Sequence, residues 1–215
     1  MKKSVLIIAP HPDDFYISCA GFVLESAKKY NFDILCMTYK NIKPKSSTRI
    51  KEERSAINAL TNHSDVQINL AFFKEGIDTK LYEKHKEMIK FIEDKIIEKK
   101  YELILCPYTE DTHQDHRETT NATLSASRYH RNIIFYETPS TINFQPSLFV
   151  EIGNRNAAAK KKISENYKSQ ILGDKNTANY KFTLSEFIYA KLISNGAKSK
   201  TCKYAEGYKP HRAFL

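Results

Sequence analysis

Glycine is scarce in this sequence, with only six residues among 215. No G-x-G-x-x-G fingerprint follows the first apolar run, Val5 to Ala9. That fingerprint lets the backbone approach a pyrophosphate at the start of a helix. Its absence argues against a nucleotide-binding Rossmann enzyme, although the fold predicted below would allow one.

Cysteine pairs and long hydrophobic runs are also missing. The four cysteines include no C-x-x-C pair, and Cys36 and Cys106 lie within apolar runs, as is typical of small buried side chains in a reducing compartment. No run approaches the ~18 apolar residues of a membrane span. The start, MKKSVLIIAP, resembles a signal peptide but runs directly into His11. We therefore expect a cytoplasmic protein without a membrane span.

Lysine, in contrast, is abundant, and the formal charge is +9. Clusters such as Lys160 to Lys162 are typical of a well-solvated surface, although an anionic substrate also fits. A nucleic-acid reader would show a recognition motif or aromatic residues along a basic stripe, and neither is present. We expect no nucleic-acid partner, and the sequence leaves a homo-oligomer open.

Short apolar runs alternate with segments of helical period along the chain. Continuous apolar strands separated by helices predict a parallel sheet covered on both faces. The fold class expected is therefore a Rossmann-like, doubly wound α/β domain, with residues 1–215 forming a single domain. Expected strands include 5–9, 32–38, 66–72, 103–106 and 133–136; expected helices include 18–29, 48–60, 81–99, 117–127, 157–166 and 184–194.

A first polar cluster, His11-Pro12-Asp13-Asp14, follows the first strand directly. Proline fits the first turn of a helix, and acidic residues there complement the helix dipole. Helix capping alone is therefore an adequate explanation of this tetrapeptide. Ligands bind at the carboxyl ends of the strands in such sheets, however, and the cluster lies at that edge.

A second cluster, Cys106 to Glu118, follows the strand that ends at Cys106. It contains His113 and His116, more polar groups than a cap requires, and the alternative is a polar surface loop. Both clusters leave the same edge of one sheet, so their side chains can converge. Two histidines and a carboxylate suit Zn²⁺, and Fe²⁺ or another divalent ion would also fit.

Spacing assigns roles within the two clusters. His11 and Asp14 are three residues apart and can reach one point, while His116 would supply a third metal ligand from across the crevice. Asp13 then fits a general base and His113 a general acid. Asp115 or Asp111 would orient the His113 imidazole.

These residues resemble the LmbE-like, or PIG-L-like, family of metal-dependent N-deacetylases, whose A-H-P-D-D-E and H-x-D-H motifs appear here as PHPDDF and HQDH. Further matches are Arg49-x-x-Glu52-x-x-x-Ala56, FVEI (149–152) and YKSQ (167–170). The resemblance implies that zinc is bound by His11, Asp14 and His116. It also implies that Asp13 is the general base, that His113 stabilises the oxyanion and protonates the leaving amine, and that the substrate is an acetylated amino sugar, N-acetylglucosamine above all. Two departures are Phe15, in place of an acidic residue, and Ala20-Gly21, in place of a glycine pair.

Further candidate residues concern contacts with the substrate. Arg49 is a candidate by family analogy, with a helix-surface arginine as the alternative. Tyr108 and Tyr136, at strand ends, are candidates for assisting the oxyanion. The segment from Tyr204 to Leu215 is expected to be a surface tail, with a flap over the crevice as the alternative. A sugar-conjugate-binding homologue without activity and a deacylase of another amide remain alternatives for the whole protein.

Overall fold

The computed structural model describes residues 2–172 and 182–214. The strands are β1 Lys3–Ala9, β2 Tyr30–Cys36, β3 Ile68–Phe72, β4 Leu103–Pro107, β5 Ile133–Tyr136, β6 Leu148–Glu151, β7 Ile171–Leu172, β8 Phe182–Thr183 and β9 Ala205–Arg212. The α-helices are α1 Asp14–Glu25, α2 Ser46–Ser64, α3 His85–Glu98, α4 Gln114–Ala126, α5 Asn154–Ile163 and α6 Leu184–Ser199. Short 3₁₀ turns occupy Leu81–Lys84 and Ser164–Asn166.

One seven-stranded sheet organises the molecule, in the order β3-β2-β1-β4-β5-β9-β6. The first five strands in this order are parallel, whereas β9 runs antiparallel to both of its neighbours. This is a mostly parallel, doubly wound sheet, and the predicted fold class is confirmed.

The strand β1 is apolar from Val5 to Ala9 because both of its faces are buried there, whereas Lys3 at its start is exposed. Val5 and Ile7 pack into the layer beneath α1 and α2, while Leu6 and Ile8 pack into the layer beneath α3 and α4. Side chains on a strand alternate between the two faces, so a strand covered on both faces favours apolar residues at successive positions. The run VLII thus places β1 at the centre of the sheet.

The position of β1 also places the crevice. The chain proceeds from β1 to β2 on one side, whereas β4, the other neighbour of β1, leads to β5 on the opposite side. The loops leaving β1 and β4 therefore diverge at a switch point, where doubly wound proteins bind ligands. Both polar clusters lie in these two loops.

The structure of the C-terminal segment differs from both of the arrangements expected from the sequence. It is neither a surface tail nor a flap, because residues 205–212 form β9 within the sheet, paired with β5 and β6. Pro210 lies in this strand beside a register irregularity. A proline argues against an interior strand, since it cannot donate to the ladder, and it conceals β9 in the sequence.

Among the described residues, no helix has the length and hydropathy needed to cross a bilayer.

Candidate metal centre and catalytic cleft

Three side chains from the two polar clusters meet at the base of the crevice. His11 Nδ1 lies 3.2 Å from Asp14 Oδ2 and 3.2 Å from His116 Nε2. Asp14 Oδ2 lies 3.4 Å from His116 Nε2. Ligands bound about 2.1 Å from a tetrahedral ion are separated by about 3.4 Å, so the three atoms have the spacing of one face of a zinc site.

Helix capping does not account for the first cluster. Asp13 occupies the N-cap position of α1, but its side chain makes no capping hydrogen bond. Asp14 accepts the backbone N–H of His11 at 2.9 Å and faces the two histidines. Burial opposes ionisation of Asp14, but His116 and His11 hold the pKa of its carboxyl well below the ordinary value. The carboxylates therefore face the crevice and not the end of the helix.

Each histidine of this trio is held from behind through its second ring nitrogen. His116 Nδ1 lies 3.0 Å from Asp111 Oδ2 and 3.0 Å from the Thr138 hydroxyl. His11 Nε2 lies 3.2 Å from both Asp78 and Asp115. Carboxylate partners of this kind fix the tautomer and orientation of metal-binding histidines, so the donor set fits a divalent metal ion.

Asp13 lies beside the trio in an unusual backbone conformation. Its φ of 107° lies in a backbone region that L-residues other than glycine rarely adopt. Arg49 lies 3.1 Å from its Oδ2 and also donates to the carbonyl of Pro12. Burial raises the pKa of the Asp13 carboxyl to about 7, although Arg49 opposes this shift. Asp13 is therefore suited to exchange a proton near neutral pH.

His113 lies across the crevice, stacked on His116 with ring centroids 4.8 Å apart. Its Nδ1 accepts the backbone N–H of Asp115 at 3.2 Å and so caps α4. In the neutral ring, the single proton must therefore reside on Nε2. Burial and the neighbouring His11 and His116 lower the pKa of the imidazole.

A cleft of about 710 Å³ opens above these groups. Its walls are formed by His11, Asp13, Ile42, Lys43, Pro44, Arg49, Asp78, His113, Ser169 and Gln170. Residues that are far apart in the chain thus line one polar space. Arg49 is only 5% exposed, which excludes the alternative of a helix-surface arginine.

The carboxylates expected to orient His113 have other partners. Asp111 supports His116, and Asp115 accepts the backbone N–H groups of Thr79 and Leu81 while it contacts His11. Within residues 2–172 and 182–214, the hydrogen bond to the His113 ring comes from the backbone N–H of Asp115 and not from a carboxylate. Asp115 thus supports a proposed metal ligand, which corrects the role inferred from its place in the sequence.

Neither predicted tyrosine lines the cleft. The Tyr108 hydroxyl lies between Glu110 and Lys209, and its ring packs on Phe135. The Tyr136 hydroxyl donates to the carbonyl of Ile8 at 2.6 Å within the core. The pleat of β5 points the Tyr136 side chain into a packed layer. The Tyr108 ring, one residue beyond β4, packs against Phe135 and Phe144.

Asp78 lines the cleft although no sequence pattern marks it as a site residue. It lies between β3 and the turn at Leu81–Lys84, in a segment without a recognisable motif. Its carboxylate lies close to His11, His113 and Asp115, which together form a second group able to hold a cation. A position after β3, another strand of the parallel sheet, is the only signal that points to it.

The chain is similar to several known proteins in sequence and in fold. The chain is 28% identical over 176 residues to an uncharacterized deacetylase, YaiS, of Escherichia coli K12. The aligned region covers 78% of this chain and 92% of that protein. Two solved structures share the fold. The N,N'-diacetylchitobiose deacetylase of Pyrococcus horikoshii has a TM-score of 0.70 and 20% identity, covering 97% and 83% of the two chains. The 4-carboxy-2-hydroxymuconate hydratase GalB of Pseudomonas putida has a TM-score of 0.74 and 15% identity, covering 99% and 98%.

The sequence profile of the PIG-L family, described as GlcNAc-PI de-N-acetylase, matches residues 6–127. This range includes both polar clusters, the helix α2 that carries Arg49, and every side chain of the trio. More than half of the chain is matched, and the chain belongs to the PIG-L family.

Proposed function

We propose that the protein is a metal-dependent N-deacetylase that hydrolyses the acetamide of an amino sugar or its conjugate, with residues 1–215 acting as one catalytic domain. The observation that carries the proposal is the trio of His11, Asp14 and His116 at the base of an open polar cleft, flanked by Asp13 and His113. Membership in the PIG-L family supports the reaction class.

The trio would hold the metal ion, for which Zn²⁺ is the best match to two imidazoles and one carboxylate, with Fe²⁺ as the alternative. A bound ion would polarise the acyl oxygen and make the attacking water more acidic. Asp111 and Asp115 keep the two imidazoles oriented for this role.

Asp13 acts as the general base. It accepts a proton from water while the water oxygen bonds to the acetamide carbon, and Arg49 holds the carboxylate in place. His113, protonated during turnover, stabilises the charge that develops on the acyl oxygen. When the C–N bond breaks, the nitrogen takes a proton from His113, and acetate and a free amine leave.

The walls of the cleft are suited to a sugar. Asp78, Ser169 and Gln170 offer acceptors and donors that match ring hydroxyls. Lys43 at the rim adds a positive charge, so an anionic conjugate of the sugar would be favoured. N-Acetylglucosamine conjugates are the first substrates to test, because of the family description and the chitobiose deacetylase relative.

The test measures acetate and free-amine release from a panel of N-acetylglucosamine conjugates by metal-loaded protein. His11→Ala should lose metal and activity together, whereas Asp13→Asn should retain metal and lose turnover. Substrate binding without acetate release would contradict the proposal and indicate a sugar-binding homologue. Release of another acid from a different amide would identify a deacylase outside the N-acetylglucosamine class.

A further inference from the structure

Glu53 is a carboxylate buried behind the site, with no solvent exposure. Its Oε2 accepts the backbone N–H of Asp13 at 2.9 Å and the hydroxyl of Tyr167 at 2.7 Å. Its Oε1 has no hydrogen-bond partner among the described residues. A buried carboxylate that is only partly satisfied does not favour folding, so its presence requires another explanation.

The hydrogen bond to Glu53 holds the backbone N–H of Asp13. The backbone conformation at Asp13 determines the direction of its side chain. Asp13 has φ 107° and ψ −31°, while Asp14 begins the regular helix α1. This change of conformation sends the Asp13 carboxylate towards Arg49 and the cleft, and the Asp14 carboxylate towards the histidines. A residue in this region of φ and ψ persists only where surrounding contacts hold it.

Arg49, four residues before Glu53 on α2, holds the same peptide from the other end. It donates to the carbonyl of Pro12 and pairs with the Asp13 carboxylate. Residues four apart lie on one face of a helix. One face of α2 therefore contacts the carbonyl before Asp13, its N–H and its side chain.

The carboxylate that accepts the N–H of Asp13 does not come from the first motif, PHPDDF. Phe15 stands where an acidic residue is expected from the family resemblance, and its ring is fully buried. Glu53 instead brings a carboxylate to the loop from α2. The neighbouring Glu52 has a different partner, since it accepts the N–H and hydroxyl of Ser169 at 2.8 and 2.6 Å.

We infer that Glu53 is a positioning residue for the general base: it holds the backbone of Asp13 in its left-handed conformation, and Tyr167 fixes the Glu53 carboxylate. Glu52 in turn fixes the cleft wall at Ser169. The two adjacent glutamates thus serve the chemical step and substrate binding separately. The catalytic part of this inference rests on the proposed deacetylase function.

The kinetic test compares Glu53→Ala with Glu52→Ala in metal-loaded protein. Loss of the Asp13 contact should lower kcat about 10- to 100-fold with little change in KM, because the base is misplaced. Glu53→Gln retains an acceptor oxygen and should stay within roughly fivefold of the parent. Glu52→Ala should instead raise KM with kcat nearly unchanged. Equal kcat in Glu53→Ala and the parent, at equal metal content, would overturn the inference.

A second measurement needs no substrate. Hydrogen exchange of the backbone amides of His11 and of residues 13–16 should accelerate at least about tenfold in Glu53→Ala and remain unchanged in Glu52→Ala. Unchanged exchange in Glu53→Ala would refute the positioning role even if the variant were inactive. If the parent released no acetate from any conjugate, the proposed function would fail, while the exchange data would still decide whether Glu53 holds Asp13.

Discussion

Nδ1 of His116 lies 3.0 Å from Oδ2 of Asp111, on the side of the ring opposite the other two members of the trio. Asp111 is itself fixed by the hydroxyls of Thr138, Ser140 and Thr141. Burial opposes ionisation of Asp111, but His116 and the hydroxyls of Ser140 and Thr138 lower the pKa of its carboxyl. The carboxylate therefore remains charged and orients the ring at neutral pH.

This contact predicts that Asp111→Asn weakens metal binding about 10- to 100-fold, because the imidazole loses a charged partner. Competition with a chelator measures the affinity. Glu110→Gln, one residue away, removes a carboxylate whose partners are Tyr108 and Asn143 and should leave affinity unchanged. Equal affinities for Asp111→Asn and the parent would show that the His116 ring is held by packing alone.

Arg49→Lys is expected to lower kcat about tenfold while metal content stays constant. A lysine ammonium cannot reproduce the planar guanidinium that reaches both the Pro12 carbonyl and the Asp13 carboxylate. Steady-state kinetics on the conjugate that the panel identifies gives kcat and KM separately. A rise in KM alone would instead place Arg49 among substrate contacts, as the family analogy predicts.

Lys160 is an internal cation that holds α1, α5 and β9 together. Its ammonium group contacts Glu206 and the carbonyl of Ile17, and the side chain is 1% exposed. Lys160→Met should destabilise the protein by about 3–5 kcal/mol, because Glu206 is left buried without its counter-charge. Urea unfolding measures the change, and the exposed Lys161→Met serves as the control, with an expected effect below about 0.5 kcal/mol.

The stability of Glu53→Gln should depend on pH. Burial raises the pKa of Glu53 to about 8, with the nearby Asp13 adding to the shift and Tyr167 opposing it. A folded pKa above the unfolded value means that protonation favours the fold below about pH 4.5 and that this stability is lost as pH rises towards 8.

The amide cannot ionise, so Glu53→Gln should match the parent near pH 4 and exceed its unfolding free energy near pH 8 by on the order of 2 kcal/mol. Thermal unfolding in buffers from pH 4 to 9 measures the difference. A constant difference across this range would mean that Glu53 does not titrate with folding. If Glu53→Gln were more stable than the parent but had a lower kcat, Glu53 would be a residue that increases activity and decreases stability.

The sequence predicts those parts of the molecule that local patterns encode. Apolar runs identify the central strands, and the two polar clusters contain all three members of the trio because each follows a strand directly. Asp78 and β9 escape prediction for different reasons: Asp78 lies in a turn without a motif, and Pro210 interrupts the strand pattern of β9.

Glu53 escapes prediction because of helix geometry. Adjacent residues on a helix are separated by about 100° around its axis, so Glu52 and Glu53 face different partners although they are neighbours in the chain. Glu52 reaches Ser169, and Glu53 reaches Asp13. The Arg49-x-x-Glu52-x-x-x-Ala56 motif includes Glu52 but does not indicate which of the two glutamates contacts the catalytic loop. The partner of each glutamate comes from a distant segment of the chain.

The position of β9 between β5 and β6 also governs the order in which the protein can fold. During synthesis, β6 emerges long before residues 205–212 and cannot form its pairing with β9 until they arrive. The outer edge of β5 stays unpaired over the same interval, and an open strand edge can join another chain. Until β9 inserts, the open edge of β5 is available for pairing with another chain, so we expect a chaperone to reduce aggregation during this interval.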